Sequence, residues 1–68
     1  MTITDNAHLI SRNKDTATYQ HASTLQLFQT VEQVSGNGLE LFIMCDGVWH
    51  SEGIFTANQI AYQVANPQ

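Results

Sequence analysis

The pair Asp46-Gly47 stands between two apolar runs, Leu39-Glu40-Leu41-Phe42-Ile43-Met44-Cys45 and Val48-Trp49-His50, and no other stretch restricts the fold so strongly. A type I′ hairpin turn needs positive φ at both central positions, which Gly adopts without steric cost and Asp tolerates. A two-residue loop at this pair opposes Cys45 to Val48, Met44 to Trp49, Ile43 to His50 and Leu41 to Glu52. Side chains alternate across a strand, so Leu39, Leu41, Ile43, Cys45, Val48 and Ile54 share one face with His50 and Glu52. Phe42, Met44, Trp49 and Phe55 share the other. Leu41 to Cys45 is apolar throughout, so both faces have surface to bury. A bulge at the turn would shift the register by one and mix the two sets.

The remainder of the chain is organised around this hairpin. Residues 1–6 carry Ile3 as the one large apolar anchor besides Met1 and read as a loose tail or a short edge strand. Ala7 to Arg12 meets the turn-like cluster Asn13-Lys14-Asp15 and then the Thr-rich run Thr16 to Ala22, which predicts a first, weaker hairpin; a short helix from Asn6 competes with it. Ser23-Thr24-Leu25-Gln26 has the spacing of a capping box, and Leu27, Phe28, Val31 and Val34 share one helical arc opposite Gln26, Gln29 and Gln33. A helix is therefore expected, ended by Ser35-Gly36-Asn37-Gly38. Thr56-Ala57-Asn58-Gln59 repeats the box, Phe55 is placed to staple against Ile60, and a second helix runs to about Ala65 before Asn66-Pro67. The expected fold is α+β: one small two-layer domain over residues 1–68, with a four-stranded, largely antiparallel sheet and two helices in the order ββαββα.

Composition excludes several functions. Arg12 and Lys14 are the only strongly basic residues, against six acids and a formal charge of -4. Phosphate backbones and anionic membrane surfaces are held by clustered Lys and Arg, so neither direct nucleic-acid binding nor membrane docking is expected. The amino terminus lacks the basic and apolar regions of a signal peptide, and no apolar run reaches membrane-spanning length, which points to the cytoplasm. The single cysteine, Cys45, excludes an internal disulfide and reads as a small buried hydrophobe in a reducing compartment. A chain of 68 residues sits near the size below which metal ions or self-association often supply missing stability.

Chemistry-bearing residues form no motif. His8, His21, His50 and Cys45 are metal-ligand types, but no Cys-x-x-Cys or His-x-x-x-His element joins them, so no metal or cofactor is expected. Cys45, His50 and a carboxylate from Asp46 or Glu52 sketch a thiol nucleophile with its base, the alternative reading as a small ligand-binding protein or thiol-dependent enzyme. No glycine-rich element beside the cysteine offers an oxyanion hole. The stronger feature is the aromatic and methionine set Phe42, Met44, Trp49 and Phe55, since Trp, Phe and Met are enriched in interface cores. The expectation is a non-catalytic interaction module that pairs with a second copy of itself, with an inhibitor or adaptor of a larger protein complex, of the phage or mobile-element type, suggested by size alone.

Overall fold

Each apolar run pairs with its neighbour in sequence. In the computed structural model, which describes residues 1–67, β1 (Ala7–Asn13), β2 (Thr16–His21), β3 (Leu27–Glu32), β4 (Leu39–Cys45) and β5 (Val48–Phe55) form one sheet, and α1 (Ala57–Ala65) follows. All pairings are antiparallel and the strand order is the chain order. A 3₁₀ turn at Ile3–Asp5 precedes the sheet and buries Ile3. The described residues thus form a small α+β fold with five strands and one α-helix. The 7–22 hairpin forms, and Asn13 opposite Thr16 leaves Lys14-Asp15 as its loop.

The expected helix after Ser23 is a strand, and the reason is visible in its would-be cap. The Ser23 hydroxyl lies 3.2 Å from His21 Nδ1, and the Ser23 and Thr24 amides donate to the same nitrogen at 3.1 and 3.2 Å. Gln26 Nε2 reaches across to the Met44 carbonyl at 2.6 Å. The Ser23 hydroxyl and the Gln26 side chain are thus engaged outside the box, Thr24 Oγ1 accepts from Gln26 N at 3.3 Å, and Leu25 takes φ 64, which a right-handed helix does not permit. Downstream, Phe28 and Thr30 point into the core while Leu27, Gln29 and Val31 point away. Two partly apolar faces over six residues mimic a helical arc, and the buried residue Thr30 hides the alternation. Val34, counted on that arc, is fully exposed.

The second box behaves as expected. Gln59 N donates to Thr56 Oγ1 at 3.1 Å, Thr56 N donates to Gln59 Oε1 at 2.9 Å, and the helix spans Ala57–Ala65. Its Ile60, Ala61 and Val64 are buried against Ile3, Ala7, Ala17, Tyr19, Phe28 and Leu41, and the small Ala61 permits close approach to the sheet. Tyr19 and Phe28, opposite each other on β2 and β3, stack with ring centroids 5.1 Å apart. His21 Nε2 lies 2.6 Å from the Val64 carbonyl, one of the helix-end acceptors that no intrahelical amide can reach. One helix, on one face, therefore closes the core.

The central hairpin keeps its predicted register near the turn and loses it farther out. Asp46 and Gly47 take φ 53 and 79, and Cys45, Met44 and Ile43 oppose Val48, Trp49 and His50. Phe42 opposes Ser51 but Leu41 opposes Gly53, so Glu52 is an extra residue in β5, and the expected Leu41–Glu52 pair does not form. Beyond this bulge every side chain changes sides. Phe55 joins Leu39 and Ile43 against the core, whereas Ile54, placed by simple alternation on the core side, is 53% exposed on the back.

Candidate functional site

The side of the sheet opposite α1 carries no covering element among the described residues. On β3–β5 this back face presents Leu27, Val31, Phe42, Met44, Trp49 and Ile54, most of them half-buried by one another. Glu40 is the one carboxylate among them, and its Oε2 accepts from Ser51 Oγ at 2.7 Å. On β1 and β2 the same face turns polar, with His8, Thr16, Thr18 and Gln20. Gln29 Nε2 donates to Thr18 Oγ1 at 3.0 Å along the seam between the two halves. An apolar centre beside a hydrogen-bonded polar margin has the anatomy of an interface.

Of the four residues read from the sequence as one surface, the structure brings Phe42, Met44 and Trp49 together on the back and places Phe55 on the core side. Leu27, Val31 and Ile54 complete the patch. Their signals were present but misassigned: Leu27 and Val31 also fit a helical arc, and the bulge that turns Ile54 outward leaves only Gly53 as its mark.

Both free edges of the sheet are interrupted. β5 has its bulge at Glu52, and β1 has one between Leu9 and Ser11. Bulges on edge strands break the row of backbone donors and acceptors that a second sheet would need for edge-to-edge pairing. The back face keeps regular pairing across β2, β3 and the inner part of β4. Geometry thus disfavours growth of the sheet and leaves stacking open.

The cysteine reading fares differently. Cys45 is exposed at the hairpin end and is not the buried hydrophobe expected; a strand end next to a turn projects past the single helix. Its sulfur lies 4.0 Å from Asp46 Oδ2, and no hydrogen bond joins it to His50 among the described residues. Ile43, Cys45, His50 and Glu52 line one shallow hollow, so the diagonal relation of Cys45 and His50 is present without a nucleophile–base contact. The three histidines lie apart: His8 on the back of an edge strand, His21 in the core and His50 on the other edge strand. No group of three or more His, Cys, Asp or Glu converges among the described residues. No helix among them is long and apolar enough to cross a membrane. Comparison with models of protein families, with curated proteins and with solved structures returns no significant match to this chain.

Proposed function

We propose that this chain is a non-catalytic interaction module whose partner is a second copy of itself, stacked back face on back face. The observation that carries the reading is the apolar patch of half-buried Leu27, Val31, Phe42, Met44 and Trp49 with exposed Ile54, which no element covers among the described residues, since apolar patches left open usually mark a contact surface. Five strands spaced about 4.8 Å apart and about 20 Å long present roughly 500 Å² per copy, so a pair stacked over the whole face, the polar β1–β2 margin included, buries on the order of 1,000 Å². That reaches the lower bound of about 1,000 Å² for a specific interface. The interrupted edges favour the same mode. Two sheets so packed would lie about 10 Å apart, and Trp49 and Phe42 would leave water at the shared core.

Light scattering coupled to size exclusion tests this directly. The wild-type chain should run at twice the 7.6 kDa chain mass, and Trp49→Asp should run at the single-chain mass with unchanged circular dichroism. A wild-type monomer at millimolar concentration would refute self-association and move the patch to the inhibitor or adaptor reading. A dimer that survives Trp49→Asp would place the contact on another face.

A further inference from the structure

The core side of the sheet holds a second feature, separate from the face assigned to self-association. A nine-residue helix is about 13 Å long and about 10 Å wide, and five strands span about 19 Å between the outer two, so one helix cannot cover them all. The uncovered part is a trough of about 440 Å³ between α1 and the β4–β5 hairpin, within the range of small-ligand sites. Its innermost lining is the buried set Phe28, Leu41, Ile60 and Val64, with the half-buried Ile43 beside Glu52 and with Thr24, Gln26 and Gln63 exposed around the opening. At Ile43 and Glu52 it adjoins the shallower hollow that holds Cys45 and His50.

Among the described residues, Glu52 is the only acidic or strongly basic side chain on the lining, and both Arg12 and Lys14 lie at the β1–β2 turn. His21 is the other titratable side chain on the lining, and its ring is turned inward: Nδ1 receives the Ser23 and Thr24 amides and Nε2 faces the Val64 carbonyl. Glu52 is also the residue that the bulge inserts, and bulges recur where a strand re-aims a side chain toward a site. The same extra residue turns Phe55 into the core and sets a carboxylate at the rim of an apolar trough.

We infer that the trough binds a small apolar molecule bearing an ammonium group, with its hydrocarbon or aromatic body against Ile43 at the margin of the buried core and its charge at Glu52. A carboxylate or phosphate of the same shape would meet a like charge and no cation.

The test compares three probes of one shape, 2-phenylethylammonium, 2-phenylethanol and phenylacetate, by amide chemical-shift titration of the intact chain. The ammonium probe should shift the amides of Ile43, Ile60 and Val64 and bind about fivefold tighter than the alcohol, the gain of one partly screened ion pair, with the carboxylate weakest. Glu52→Gln, an exposed substitution checked by thermal melting, should reduce the ammonium probe to the affinity of the alcohol. Gln63→Trp, at the mouth, should block all three. Trp49→Asp should leave the titration unchanged, which separates this site from the self-association face. Equal binding of the three probes, an unchanged ammonium affinity in Glu52→Gln, shifts confined to the back face, or the absence of shifts with the ammonium probe would each overturn the proposal.

Discussion

Replacing His21 by Phe should remove a large part of the stability of this fold while keeping the ring's volume. His21 is 7% exposed, and its two nitrogens join three segments: β2, the turn after it and the end of α1. The imidazole lies 2.6 Å from the Val64 carbonyl and accepts from the Ser23 and Thr24 amides at 3.1 and 3.2 Å. Ser23 and Thr24 are exposed, so water can replace the ring at their amides; the Val64 carbonyl sits over the core and cannot be rescued as readily. A buried acceptor left unpaired costs about 1–3 kcal/mol and each of the two exchanged bonds about 0.5–1 kcal/mol, so the expected loss is about 2–5 kcal/mol. A chain of 68 residues has roughly 3–10 kcal/mol in total. With a urea dependence of about 1 kcal/mol/M for so small a protein, the unfolding midpoint should fall by about 2–5 M. Urea titration followed by circular dichroism measures it, and ¹⁵N shifts of the wild-type ring should show Nδ1 bare and Nε2 protonated. A midpoint change under about 0.5 M, or a proton on Nδ1, would refute the argument that this histidine ties the helix end to the sheet.

Two further outcomes follow from the backbone. A Cβ at Gly38, which has φ 129, would stand 2.7 Å from the Phe55 carbonyl oxygen, whereas one at Gly36, with φ 76, meets nothing within 4 Å. Gly38→Ala should therefore cost about 2–3 kcal/mol and Gly36→Ala only about 1 kcal/mol in the same urea assay, and the reverse order would exclude the clash as the cause. At the amino terminus, the Thr2 amide donates to Asp5 Oδ2 at 2.9 Å and holds the Asp5 carboxyl below its ordinary value of 3.8. A lowered folded-state value means that this contribution is present above the ordinary value and fades as pH falls through the lowered one. The Thr2 amide resonance should accordingly move only in that acidic window, and Asp5→Asn should abolish the movement.

Where a feature depends on neighbours in sequence, the chain itself specified it. Asp46-Gly47 has the φ values its turn demands, and Thr56 with Gln59 closes its capping box within one helical turn, so the hairpin tip and α1 could be read directly. The aromatic cluster of Phe42, Met44 and Trp49 was legible for the same reason, because alternation holds until something interrupts it. The rest was decided by the surroundings each segment meets in the fold. Ser23 and Gln26 carry the letters of a cap, yet His21, itself 2.6 Å from the Val64 carbonyl of α1, and Met44 on β4 claim their hydrogen bonds, and the following segment becomes β3. The bulge at Glu52 exchanges Phe55 for Ile54 between the two faces, and with it the composition of the back patch and the one charge in the trough. Local chemistry determined where this chain turns and where its helix starts. Which side each strand shows to the core, and what is left uncovered, was settled only when one short helix met a sheet wider than itself.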